Sequence, residues 1–96
     1  MMDTTFDISG KVVVLTGGSG TLGSSWAHHL AGAGAKIVIL GSTPSRVEEV
    51  KKNLLKTTPD ILGFAGSVLD RRHLEEIKSV VLKKWGRIDA LVNAAG

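Results

Sequence analysis

Three glycines carry the first chemical signal in this sequence. Gly18, Gly20 and Gly23 stand in the spacing G-x-G-x-x-G, directly after Val12-Val13-Val14-Leu15-Thr16-Gly17. An unbroken apolar run such as 12–15 reads as a strand buried on both faces, as in a parallel sheet. Beyond the turn, Leu22, Trp26, Leu30 and Ala33 recur at helical spacing and predict one apolar helix side. Strand, glycine turn and helix in that order form the entry to a dinucleotide-binding βαβ unit. Glycine there permits a tight turn, lets the backbone approach a pyrophosphate and allows close helix–strand packing. The helix N-terminus then offers free N–H groups and a positive dipole end to the phosphates. The candidate contacts of this turn are Gly17, Ser19, Gly20, Thr21, Leu22 and Gly23.

A second set of residues bears on which dinucleotide is bound. An acidic residue about 20 positions past the glycines would hold the adenosine ribose hydroxyls and select NAD. Gly41, Ser42 and Thr43 stand there instead. A 2′-phosphate would meet no repulsion at that place. Ser42, Thr43 or Ser45 could donate to it, and Arg46 could reach it, so the expectation is NADP in preference to NAD. Ser67 and Val68 are expected beside the adenine. Asn93-Ala94-Ala95-Gly96 falls at the carboxyl end of a strand, where open α/β sheets bind ligands and small residues let a cofactor lie against the backbone.

These residues need a frame, and the chain alternates strand and helix patterns to supply it. Strands are predicted over 11–16, 36–40, 61–65 and 88–92. Helices are predicted over about 22–33 and 45–56, with a third between Asp70 and Gly86. Ser45-Arg46-Val47-Glu48 has the form of a capping box, and Asp70 that of an N-cap. Val47, Val50 and Leu54 should face the sheet, as should Leu74, Ile77, Val81 and Trp85. The order β-α-β-α-β-α-β implies an α/β, Rossmann-type, doubly wound parallel sheet. Right-handed crossovers place its strands 3-2-1-4. No linker divides the 96 residues, so a single NAD(P)-binding domain over 1–96 is expected.

Composition narrows the function classes. Hydrophobic content of 43% with 22% charged residues is that of a globular chain. No apolar run of about 18 residues is present, which argues against a transmembrane helix and a membrane partner. The N-terminus shows neither a basic start nor an apolar core of a secretory signal, and there are no cysteines, so a cytoplasmic protein is expected. The net charge of +3 is scattered over short pairs such as Lys51-Lys52, Arg71-Arg72 and Lys83-Lys84. With two Phe, two Trp and no Tyr, the clustered basic stripe and stacking aromatics of a nucleic-acid binder are missing. His28 and His29 diverge by about 100 degrees on a helix and cannot easily share one metal, and His73 has no companion ligands.

The residues resemble the short-chain dehydrogenase/reductase family. Thr16-Gly17-Gly18-Ser19-Gly20-Thr21-Leu22-Gly23 is similar to its T-G-x-x-x-G-x-G turn. Asn93-Ala94-Ala95-Gly96 is similar to its N-N-A-G, and 86–92 to the stretch before it. Thr21 stands for the middle family glycine, with Gly20 one place earlier, a spacing that the extended, sugar-nucleotide branch also shows. Ser67 replaces the usual Asp near the adenine, and Ala94 the second Asn. Val68-Leu69-Asp70 and the turn ending in Leu22-Gly23 resemble a D-mannonate (fructuronate) oxidoreductase sub-group.

The resemblance implies hydride transfer between a nicotinamide and a carbonyl or alcohol, with a sugar acid as the candidate substrate. It also implies a small-molecule substrate and a homo-oligomer, dimer or tetramer. The family's catalytic Ser, Tyr and Lys follow N-N-A-G, and this sequence contains no Tyr. The expectation is therefore the cofactor half of a reductase, without catalytic residues of its own: a truncated chain, a partial gene or a pseudoenzyme. A non-catalytic NAD(P)-binding module and a sugar-nucleotide epimerase or dehydratase fragment are the alternatives. The last strand should form an open sheet edge that promotes self-association.

Overall fold

A computed structural model describes residues 8–17, 19–67 and 69–94. Its elements are β1 (Val12–Thr16), α1 (Thr21–Gly32), β2 (Lys36–Gly41), α2 (Pro44–Leu54), β3 (Ile61–Ala65), α3 (Arg71–Trp85) and β4 (Ala90–Asn93). The strands form one parallel sheet in the order β3-β2-β1-β4. Val13 stands opposite Ile37 on one side and Ala90 on the other. The doubly wound 3-2-1-4 arrangement expected from the alternation is the one observed.

The pleat of β1 explains why both its faces are apolar. Val13 and Leu15 enter a core with Ile37 and Ile39 of β2, Ala27 and Ala31 of α1, and Val50 and Leu54 of α2. Val12 and Val14 enter the opposite core with Val38, Leu40, and Ile77 and Val81 of α3. Each fully buried Leu or Val contributes on the order of 1.5–3 kcal/mol. α1 and α2 cover one face and α3 the other, which is how parallel sheets keep both faces dry.

Four local expectations are corrected. The sheet-facing side of α1 is Gly23, Ala27 and Ala31, not the larger apolar set. Leu22 is 58% and Trp26 48% exposed, Leu30 is half-buried and Ala33 is exposed. Small side chains at i, i+4 and i+8 let the helix axis lie close to the sheet, where Leu and Trp would hold it off. The capping box at Ser45 does not form. α2 starts one residue earlier, with Thr43 at the N-cap and Pro44 in the first turn. Proline has no N–H to leave unpaired and a φ already set for a helix start. α2 also ends at Leu54 rather than at 56, passing into a turn in which Thr57 and Thr58 donate N–H bonds to the Leu54 carbonyl.

The fourth correction is the start of β4, at Ala90 rather than 88. Asp89 does something other than extend the strand. Its backbone N–H donates to the Val12 carbonyl at 2.9 Å, and its Oδ2 accepts the Val12 N–H at 2.8 Å. A side chain thus takes the place of a ladder carbonyl at the foot of β1. Arg87 completes the clasp, donating from Nη2 at 2.6 Å and Nε at 3.0 Å to Asp89 Oδ1. α3 behaves as its sequence implies. Asp70 Oδ1 accepts the His73 N–H at 3.2 Å, and Gly86 ends the helix at φ 75°, a left-handed conformation that glycine adopts without strain.

Two predictions follow from the β4 side of the sheet. The Arg87 hydrogen bond and then the Val12 N–H hold the Asp89 carboxyl below its ordinary value. A lowered folded value stabilises the protein above the unfolded pKa of about 4, and that stabilisation disappears as pH falls through the folded value. Asp89→Asn is therefore expected to lower Tm at pH 7 and to flatten its dependence on pH below about 4, read by circular dichroism melts. β4 is also an edge strand with Leu91 69% exposed, beside a groove of about 470 Å³ lined by Leu74, Ile77, Val81 and Ile88. Unpaired N–H and C=O groups flanked by apolar side chains promote association. Light scattering across a concentration series should show oligomers that Leu91→Lys disperses; a monodisperse wild-type monomer would contradict this.

Candidate functional site

The carboxyl ends of β1, β2 and β4 converge on a cleft of about 530 Å³. The turn after β1 contributes Gly17, Ser19, Gly20, Thr21 and Leu22. The end of β2 contributes Gly41, Ser42 and Thr43, and α2 adds Arg46. Ala94 closes the side next to β4. Most of the sequence-predicted site is thus brought together from segments up to 77 positions apart.

The turn is built from backbone bonds. Gly17 donates its N–H to the Leu40 carbonyl at 2.8 Å, which ties the end of β1 to the end of β2. It sits at φ 72°, the left-handed region, so the chain can leave the strand sharply. Gly20 donates back to the Gly17 carbonyl at 3.1 Å and becomes the N-cap of α1. No side chain caps that helix end, so the first-turn N–H groups are not used up by the turn itself. Gly20 has φ −77° and ψ 174°, ordinary extended backbone, and a Cβ there would meet only the Gly17 carbonyl at 3.5 Å. The fold does not demand glycine at 20. Its bare backbone lines the cleft.

Charge in the cleft has one sign. Arg46 lines it, and no Asp or Glu does among the described residues. Arg46 Nη2 donates to the Ser19 carbonyl at 3.1 Å, bridging from α2 to the glycine turn. A helix N-terminus and a guanidinium at the same opening form a pair of anion-favouring features, with the exposed Ser42 and Thr43 between them. That donor set fits the diphosphate and ribose end of a dinucleotide.

Other predicted residues lie elsewhere. Gly23 is buried in the first turn of α1, beneath the cleft. Ser67 is exposed beyond β3, and its Oγ accepts the Leu69 N–H at 3.0 Å. Asn93 lines the apolar groove beside α3, and its Oδ1 accepts from Thr16 Oγ1 at 3.1 Å. Gly18, Val68, Ala95 and Gly96 lie outside the described residues. Two features were missed from sequence. Gly41 lines the cleft, and a glycine closing an otherwise apolar strand was a legible sign of close approach. His73 packs against Gly66, and its Nε2 is buried without a partner among the described residues; nothing in the sequence pointed to that contact.

The parallel sheet, the glycine turn and the cleft at the carboxyl edge define a Rossmann-type dinucleotide-binding unit. A family model described as short chain dehydrogenase matches residues 11–96, and the chain belongs to that family. It is 39% identical over 90 residues to an uncharacterized oxidoreductase, UxuB, of Bacillus subtilis (strain 168), covering 94% of this chain and 32% of the relative. A solved structure of a putative D-mannonate oxidoreductase from Haemophilus influenza, with bound NAD, matches with TM-score 0.85 and 26% identity. That match covers 94% of this chain and 32% of the other. A metagenomic short-chain oxidoreductase in complex with NADP matches with TM-score 0.83 and 27% identity over 95% of this chain and 41% of the other. The chain thus spans about a third of the length of the first curated relative it matches. The family uses NAD or NADP.

The two turn glycines differ in a measurable way. Gly17→Ala should cost about 1–2 kcal/mol of stability, because its φ is left-handed. Gly20→Ala should leave stability within about 0.5 kcal/mol. Urea unfolding of the two variants checks this; equal losses would mean that both glycines serve the fold alone.

Proposed function

We propose that these 96 residues are the cofactor-binding unit of an NAD(P)-dependent short-chain reductase, with NADP preferred. The observation that carries the preference is Arg46, tied to the Ser19 carbonyl in a cleft that no carboxylate lines among the described residues. In this reading the turn from Gly17 to Gly23 and the start of α1 hold the pyrophosphate. Ser42, Thr43 and Arg46 hold the 2′-phosphate. The expected adenine contacts are Ser67, which is exposed beyond β3, and Val68, which is outside the described residues. Of the run Asn93-Ala94-Ala95-Gly96, expected to let the cofactor lie against the backbone, Ala94 lines the cleft. The bound cofactor would supply or accept a hydride at a carbonyl or alcohol carbon of a small molecule.

For the substrate we favour a sugar acid, on the likeness to the D-mannonate oxidoreductase structure and on Val68-Leu69-Asp70. A homo-oligomeric, cytoplasmic enzyme is the setting we infer from the family; no helix among the described residues is long and apolar enough to cross a membrane. The sequence has no Tyr for the family's proton transfer, so these residues would bind NAD(P) without turnover.

Calorimetric titration of NADPH and NADH tests the proposal. The expected result is tighter binding of NADPH, near-complete loss with Gly20→Val, and a shift towards NADH of about tenfold with Ser42→Asp. Binding of neither dinucleotide would overturn it.

A further inference from the structure

Parallel strands give the sheet two chemically different ends. The cofactor cleft lies at the carboxyl end, and the amino end lies opposite it. Basic residues that are scattered along the sequence are gathered by the fold at the amino end. Lys11 precedes β1, Lys36 opens β2 and Arg87 precedes β4. The helices run back against the strands, so their last turns arrive there too, with Lys52 of α2 and Lys83 and Lys84 of α3. Lys36 Nζ and Lys84 Nζ stand 5.8 and 5.9 Å from the ring centroid of Trp85, which joins them in one patch. The described carboxylates of this end are Asp60, 3.4 Å from Lys36 Nζ, and Asp89, bonded to Arg87. The others belong elsewhere: Glu48 and Glu49 to the middle of α2, Asp70, Glu75 and Glu76 to the start of α3. The negative end of a helix dipole accounts for lysines in a last turn. It does not account for Lys11 and Lys36, which stand at the feet of strands.

We propose that the amino end of the sheet is an electrostatic docking face for a bilayer surface rich in anionic headgroups, with the cofactor cleft held pointing away from the membrane. The shape of the face selects this partner. Neither the cleft nor the groove beside α3 is lined by any of these cations, so the face offers no pocket for a small ligand or a peptide. A nucleic-acid single strand is held by free aromatic faces. The described aromatic side chain here is Trp85, half-buried and with two of the chain's own ammonium groups beside its ring. A duplex admits a helix or a ribbon into its major groove, whereas α2 and α3 present only their last turns. A plane of diffuse negative charge requires none of these features. Lysines on long stems are attracted to it within a Debye length, about 8 Å at physiological salt. No helix among the described residues is long and apolar enough to cross a membrane, so the contact is with the surface.

Vesicle flotation tests this on the chain as it stands, because self-associated protein stays at the bottom of the gradient. The chain is expected to float with phosphatidylserine-containing vesicles, not with phosphatidylcholine alone, and to be released by about 0.5 M NaCl. Two triple variants remove the same charge from opposite ends. Lys52→Gln with Lys83→Gln and Lys84→Gln should weaken vesicle binding at least about tenfold. Arg71→Gln with Arg72→Gln and Lys78→Gln should weaken it less than about threefold. All six side chains are exposed, and circular dichroism should show both triples folded. Equal losses in the two triples would assign the attraction to net charge and overturn the inference. So would equal flotation with phosphatidylcholine alone, no flotation at low salt, or binding of duplex DNA in place of vesicles. NADPH titration with vesicles present should match titration without them, because the cleft lies at the other end. Competition between the two would place the lipid in the cleft and overturn the inference. Failure of NADPH to bind at all would sink the dinucleotide reading alone, since flotation of the two triples decides the docking face without it.

Discussion

The constraint on which the structure depends is that β1 must be dry on both faces and paired on both edges. Val12 and Val14 belong to one core, Val13 and Leu15 to the other, and β2 and β4 flank the strand. A polar residue anywhere in 12–15 would bury an unpaired group in one core or the other. The helices are placed by the same requirement, since each exists to cover a face that β1 and β2 leave apolar. The Asp89–Val12 clasp shows how tightly the strand's foot is held. Where the ladder has no further carbonyl to offer Val12, a carboxylate supplies one.

The cleft follows from this arrangement. Strands that run parallel end on one side, and the connections that leave them must diverge there, α1 and α2 to one face and α3 to the other. Gly17 turns the chain at that point and stays bonded to Leu40, so the ends of β1 and β2 are tied together. The glycine turn does not stand alone as a loop. It is packed on Gly41 from below and bonded to Arg46 from the side. The geometry that suits it to phosphates is therefore shared between two crossover units.

Legibility in the sequence tracked how local each signal was. β1 and β2 were readable because uninterrupted apolar runs such as 12–15 and 37–40 have few other uses. Asp70 and Gly86 were readable because a cap depends on residues only three or four positions away. The face of α1 was misread because Leu22 and Trp26 look more like core than Gly23, Ala27 and Ala31 do. Close packing of a helix on a sheet rewards small residues, and hydrophobicity alone does not record that distance. Ser45 was misread because Pro44 competed for the same helix start. The last strand was placed two residues early because Asp89 looked like part of the run, whereas its carboxylate is bonded sideways to Val12.

The sequence by itself determined the alternation of elements, the parallel sheet, the glycine turn and the absence of an acid at the end of β2. These are matters of period, residue type and spacing, and each is written within a few tens of residues. Only the tertiary structure brought Ser19, Gly41 and Arg46 together. Their contacts join residues 22 or more positions apart in two cases, across different elements. A steric vacancy at 41 has no meaning until folding brings Ser19 over it, because excluded volume acts between atoms in space and not between positions in a chain.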